Sequence, residues 1–160
     1  MNLTIHTDGG SLHNPGPAAS AFLIHSEGKL LHQYKEAIGI ASNNVAEYTA
    51  LIRALTYVKE QWIHRRHSGL DPESSSILDP RFREDDIESI KVIADSELMV
   101  RQVNGVYKVK HPDIKPLHTQ VKLLELEIGV PIVYTHVLRE KNADADALVK
   151  KALKSSGDKR

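Results

Sequence analysis

Apolar and polar residues alternate over residues 2–8, with Leu3, Ile5 and Thr7 on one side and Thr4, His6 and Asp8 on the other, the period of a half-buried strand. Gly9-Gly10 is expected to stop it. Beyond the turn chemistry of Asn14-Pro15-Gly16-Pro17, two more strand-like runs, 18–25 and 29–37, flank Ser26-Glu27-Gly28, and the three together read as an antiparallel meander. Over 43–61 the period lengthens: Val45, Tyr48, Leu51, Ile52, Leu55 and Val58 recur at the spacing of one helix face, with Asn44 as the expected N-cap. Residues 89–94, β-branched at Ile90, Val92 and Ile93, predict a fourth strand that ends at Asp95 before a short helix through Val103. Pro112 and Pro116 open a helix running to about Ile128, 131–137 predict a fifth strand, and Asn142 is placed to cap a terminal helix carrying Ala147, Leu148 and Ala152. The order βββαβααβα predicts an α/β domain built on a five-stranded mixed sheet flanked by helices.

One stretch breaks the pattern. Residues 65–86 hold Gly69, Pro72, Ser74-Ser75-Ser76, Pro80 and Glu84-Asp85-Asp86, with few apolar residues at any regular spacing. The run His67-Ser68-Gly69-Leu70-Asp71-Pro72-Glu73-Ser74-Ser75-Ser76 and the later Leu78-Asp79-Pro80-Arg81-Phe82-Arg83-Glu84-Asp85-Asp86 resemble translated palindromic repeats, which implies a passenger peptide lodged where a loop tolerates it. A functional lid is the other reading. With 160 residues in all, the expectation is one domain over 1–154, interrupted at 65–86, with a flexible tail at 155–160.

Charge changes the picture little, since 21 Lys and Arg balance 21 Asp and Glu, so any binding of a polyanion must come from a local surface. The absence of cysteine excludes disulfides, thiolate metal sites and a cysteine nucleophile. No leader-like or membrane-spanning apolar run is read in the sequence, so a monomer of the cytosol is expected.

The candidate chemistry is carried by carboxylates at strand ends and helix starts, where mixed α/β folds gather their sites. Taken singly, each has a plainer role. Glu47 lies three residues after Asn44 and would complete a capping box, Asp95 would cap the helix that follows it, Asp146 would pair with Lys150 one turn on, and Asp8 would begin a turn at Gly9-Gly10. All four plain roles would have to hold together.

Four motifs argue otherwise. Thr7-Asp8-Gly9-Gly10-Ser11 with Asn14-Pro15-Gly16-Pro17, then Asn43-Asn44-Val45-Ala46-Glu47-Tyr48, then Asp95-Ser96-Glu97-Leu98 with Tyr107-Lys108-Val109-Lys110, and finally Arg139-Glu140-Lys141-Asn142 before Ala145-Asp146-Ala147-Leu148 resemble, in order and spacing, the type 1 ribonuclease H family in its compact form without a basic protrusion. The resemblance implies a ribonuclease H-like fold and an endonuclease that cuts the RNA strand of RNA/DNA hybrids. It implies a metal-binding tetrad of Asp8, Glu47, Asp95 and Asp146 for two Mg²⁺ or Mn²⁺ ions, with Asp8 bridging both, and 5′-phosphate products. Hydrolysis of a phosphodiester needs an activated water and charge relief on the leaving oxygen, which two hard divalent ions about 4 Å apart can supply. The same resemblance implies hybrid contacts at Gly9, Gly10, Ser11, Asn43, Asn44 and Ser96 near the scissile bond, and at Lys108 and Lys110 on the DNA strand. The 2′-hydroxyl is what separates RNA from DNA at such a site.

Nine histidines form no convincing ligand set, so zinc is not expected. His136 lies near the place of a mobile histidine that aids product release in some relatives, but its position in a predicted strand favours a structural role. Tyr48 and Trp62 are read as packing residues. The alternative functions are a non-catalytic hybrid-binding domain and a relaxed nuclease that also cuts double-stranded RNA.

Overall fold

The computed structural model describes residues 1–63 and 87–157. Five strands and four α-helices follow in the expected order among these residues: β1 (Asn2–Ser11), β2 (Gly16–Ser26), β3 (Lys29–Ala41), α1 (Asn43–Val58), β4 (Ser89–Ala94), α2 (Glu97–Val103), α3 (Lys115–Ile128), β5 (Ile132–His136) and α4 (Ala143–Gly157). They form one mixed sheet in the order β3-β2-β1-β4-β5. β1 is antiparallel to β2 and parallel to β4, and β4 is parallel to β5. The expected insertion at 65–86 lies outside the described residues.

Strand alternation divides the core. Leu3 and Ile5 of β1 with Phe22 and Ile24 of β2 face Leu51, Leu55 and Val58 of α1 and Val121, Leu124 and Ile128 of α3. The opposite face of β2 presents Ala19, Ala21 and Leu23 to Ala145, Leu148, Val149 and Ala152 of α4. Alanines on both sides let α4 lie close to the sheet. The hairpin between β2 and β3 turns on Glu27 and Gly28, both with positive φ, the twist that a two-residue connection between antiparallel strands requires.

Chain re-entry before β4 is firmly anchored. Ile87 is buried in the α1 side of the core, the Glu88 amide donates to the Met1 carbonyl at 2.8 Å, and the Ser89 hydroxyl donates to Asn2 Oδ1 at 2.8 Å. These contacts set the register in which Asn2 pairs with Ser89 and Thr7 with Ala94.

Several local expectations are corrected. Gly9-Gly10 does not stop β1, which continues to Ser11 and keeps Gly9 opposite Ser20 and Gly10 opposite Ala19. A glycine inside a strand marks a close approach of other backbone, and a methyl group on Gly9 would sit 2.3 Å from the carbonyl carbon and oxygen of Ala46 in α1. The cap of α1 is Ser42, whose hydroxyl accepts from the Val45 amide at 3.2 Å, rather than Asn44. The cap of α2 is Ser96, accepting from Met99 at 3.2 Å, rather than Asp95. α1 ends at Val58 and gives way to a π-helical turn, Lys59–Ile63, so the expected helix to Gln61 changes hydrogen-bond pattern in its last turn. α3 begins at Lys115, leaving Pro112 outside it, and residues 155–157 are helical rather than a free tail.

Candidate active site

The sheet topology delivers two carboxylates to one end of the molecule. Thr7 and Ala94 are the last paired residues of β1 and β4, and the next residue on each chain is Asp8 and Asp95. Neighbouring parallel strands thus open a crevice at their carboxyl ends, the usual position for a site in such sheets. Glu47 enters from α1, just past its first turn. Its approach depends on Gly9, since only a residue without Cβ admits the Ala46 backbone, and on Ser20 of β2, whose buried hydroxyl donates to the Ala46 carbonyl at 2.7 Å. The Gly9 amide then donates to Glu47 Oε1 at 3.2 Å.

One carboxylate oxygen from each of Asp8, Glu47 and Asp95 lies within 4.8 Å of the others. Asp8 and Glu47 are buried, and the Asp95 side chain is 6% exposed. Asp146, from the first turns of α4, stands outside this tight trio but lines the same open cleft of about 410 Å³, with Gly9, Gly10, Ser11, Asn43, Asn44 and Ser96 also on its walls. Asn43 is fixed there by three hydrogen bonds: its Oδ1 accepts from the Ser11 amide and hydroxyl at 2.9 and 3.1 Å, and its amide donates to Asn14 Oδ1 at 3.1 Å.

The electrostatics are those of crowded like charges. Burial, then the neighbouring Asp95, pushes the Asp8 carboxyl up to about 7. Glu47 is held well above the usual carboxylate range by burial first and by Asp8 next. Glu47 Oε2 and Asp95 Oδ2 are buried and lack a hydrogen-bond partner among the described residues, although the Arg139 guanidinium stands 3.9 Å from Asp95 Oδ2. Unpaired carboxylate oxygens turned toward one another fit a hard divalent cation, which binds oxygen and relieves the repulsion.

A stability prediction follows from the Asp8 shift. In an unfolded chain its carboxyl titrates near about 3.9, so between roughly pH 4 and 7 the folded chain holds the proton more tightly. The stabilisation is complete on the acid side and is lost as pH rises through 7. Thermal melts in EDTA are therefore expected to show a larger loss of Tm between pH 5 and 8 for the wild type than for Asp8→Asn.

Other predicted residues are placed differently. Lys108 and Lys110 are exposed and do not line the carboxylate cleft; Lys108 sits with Tyr107, Lys115, His118 and Lys122 in a separate groove at the far end of α2. His136 ends β5 and is exposed, so it is not packed as its place in a strand suggested. Tyr48 is buried with its hydroxyl donating to Gln102 Oε1 at 2.7 Å, and Trp62 is buried in the core. The sequence assigns no role to Arg139 or Ser20, whereas the expected pairing of Asp146 with Lys150 is present, Nζ to Oδ2 at 3.0 Å. Arg139 carried the one available signal, a cation inside the fourth motif; a serine amid the alanines of β2 carries none.

Comparison with known proteins gives the family. The family model described as RNase H matches residues 1–154. The chain belongs to the RNase H family. Among its relatives, a bifunctional protein of Mycobacterium tuberculosis strain H37Rv is 34% identical over 155 residues, covering 96% of this chain and 36% of that protein. Ribonuclease HI of Halobacterium salinarum is 34% identical over 148 residues, covering 91% of this chain and 61% of that protein. The chain thus spans about a third of the length of the mycobacterial relative and under two thirds of the archaeal one. The crystal structure of LC11-RNase H1 in complex with an RNA/DNA hybrid superposes with a TM-score of 0.76 at 37% identity, covering 96% of this chain and 98% of that one. The five-stranded mixed sheet with flanking helices is that of the RNase H-like fold. No helix among the described residues is long and apolar enough to cross a membrane.

Proposed function

We propose that this chain is a divalent-metal-dependent endonuclease that hydrolyses the RNA strand of an RNA/DNA hybrid, with Asp8, Glu47, Asp95 and Asp146 as its metal ligands. The observation that carries the reading is the convergence of three buried carboxylates, two of them with raised proton affinity, on one open cleft in a member of the RNase H family. The hybrid bound by LC11-RNase H1 supports the substrate class. Mg²⁺ or Mn²⁺ held there would activate water and stabilise the departing 3′ oxygen.

The protein's own part is positioning. Asp8 and Asp95, rooted in adjacent strands, and Glu47, held by the Gly9 amide, present fixed oxygen ligands. The backbone at Gly9 and Gly10 leaves room for a nucleic-acid strand along the cleft wall. Exposed Asn43 and Asn44 offer amides to the 2′-hydroxyls that mark RNA, while Arg139 supplies positive charge for a phosphate. Lys108 and Lys110 serve phosphates of the DNA strand farther along.

One gel assay tests this, with end-labelled hybrid, double-stranded RNA and double-stranded DNA incubated with Mg²⁺, Mn²⁺ or EDTA. The expected result is internal cutting of the hybrid's RNA to 5′-phosphate and 3′-hydroxyl ends with either metal. Cutting in EDTA, or cyclic phosphate ends, would refute the mechanism. Hybrid binding without cleavage would favour the non-catalytic reading, and equal cutting of double-stranded RNA the relaxed one.

The fourth ligand has its own test. Asp144 and Asp146 are two apart on a helix and so face directions about 200° apart. Asp144 is exposed and acts electrostatically on His6, while Asp146 is half-buried on the cleft, 3.0 Å from Lys150 Nζ. Asp146→Asn is expected to lower the cleavage rate by about a hundredfold or more, and Asp144→Asn to change it by less than about threefold. The opposite order in side-by-side rates would reassign the ligand.

A further inference from the structure

Asn142 does something other than cap a helix. It closes the 3-10 turn Arg139–Asn142 that leads into α4, is 1% exposed, and donates from Nδ2 to the Thr7 carbonyl at 2.8 Å across 135 residues of sequence. Its Oδ1 is buried without a hydrogen-bond partner among the described residues, so the side chain accepts from none of the amides that a cap would satisfy. Burying an amide oxygen unpaired is unfavourable, and only the Nδ2 contact offsets it.

The two ends of that contact are informative. Thr7 is where the β1–β4 ladder stops and is covalently joined to Asp8. Asn142 stands four residues before Asp146, about one helical turn away and on the same side of the helix start. The bond therefore ties the residue before one proposed ligand to the turn before another. The Val137 amide, donating to the Ala94 carbonyl at 2.9 Å, ties the same connection to the residue before Asp95. Among the described residues, no other side-chain hydrogen bond joins the start of α4 to β1.

We infer that Asn142 is a positioning residue that sets the placement of Asp146 relative to Asp8 and so fixes how tightly the cleft holds its divalent cation. The inference rests on the tetrad proposed above. It differs from a merely structural role, because loss of the tie would change metal affinity through the placement of Asp146 and not through stability alone.

The test is Mn²⁺ titration of the free full-length chain by calorimetry, with thermal melts in EDTA and the metal dependence of hybrid cleavage measured in parallel. Asn142→Ala is expected to weaken Mn²⁺ binding about tenfold and to lower kcat while leaving KM for the hybrid within about twofold. In an Asp146→Asn background the same substitution should weaken binding less than twofold, because the ligand it places is already gone. Should Asn142→Ala not fold, Asn142→Ser keeps a residue suited to a helix start on a shorter arm and carries the same expectations. Lowered Tm with unchanged Mn²⁺ affinity, or an undiminished tenfold loss in the Asp146→Asn background, would overturn the inference. If instead the wild type binds Mn²⁺ no better than Asp8→Asn, it is the tetrad itself that fails.

Discussion

Replacing Asp8 with asparagine is expected to reduce hybrid cleavage by roughly a thousandfold or more while leaving the metal-free protein at least as stable as the wild type at neutral pH. The two halves of this expectation have one cause. Asp8 is buried beside Glu47 and Asp95, and its carboxyl is pushed up to about 7 by burial and then by Asp95. A neutral side chain of the same shape removes a charge from a repelling cluster, and its amide can donate to either neighbour. The same change deletes the ligand between the two strand ends. Rates with saturating Mg²⁺ and melts in EDTA at pH 7.5 check both. A marked fall in metal-free Tm would mean that Asp8 is a structural turn residue, and retained cleavage would remove it from the tetrad.

Gly9→Ala should be nearly as damaging for a different reason. The added methyl would lie 2.3 Å from Ala46 C and O and 2.5 Å from the Glu47 amide nitrogen, all backbone atoms that no rotamer change can move. α1 must then shift away from β1, against the Ser20 hydrogen bond to the Ala46 carbonyl and the packing of Leu51 and Leu55. Overpacking of this kind typically destabilises by about 1–3 kcal/mol, and backbone contacts place this case at the upper end. The displacement also lifts Glu47 off the Gly9 amide, so cleavage is expected to fall by about a hundredfold even at temperatures where the variant remains folded. Gly10→Ala is the control. A methyl there meets nothing closer than 3.9 Å, so stability should stay near wild type, and any loss of rate would report on the strand along the cleft wall rather than on a displaced α1.

The contrast between these glycines explains what was legible in the sequence. Among the described residues, period-two and helical spacing located the five strands and the four α-helices, because burial on one face imposes those periods directly. Gly9-Gly10 was misread as a strand end because its reason lies in Ala46, far along the chain, and local preference registers only that glycine weakens strands. The caps slipped by one or two residues because Ser42, Asn44, Asp95 and Ser96 are all good cap residues, and only the path of the chain chooses among them. Asn142 was read as a cap for the same reason; its actual partner, the Thr7 carbonyl, exists only once the sheet is formed. The carboxylates were legible through ordered motifs rather than through any one residue, since Glu47 alone suits a capping box and Asp95 alone suits a cap. Ser20 and Arg139 escaped because their significance is a matter of tertiary neighbours.

The anchoring of Ile87, Glu88 and Ser89 makes the molecule, in effect, a two-piece assembly. Asp8 and Glu47 belong to the part up to α1, and Asp95 and Asp146 to the part from β4 onward. Among the described residues, the pieces are joined by the β1–β4 ladder, the packing of α1 on α3, the α4 contacts with β2 and the Asn142 tie. Peptide-bond continuity adds to these contacts by raising the effective concentration of one half for the other. Two separately produced fragments would each hold half of the ligand set and be inert alone. Their recombination would restore a complete cleft, giving a nuclease whose activity reports on whether its halves have met.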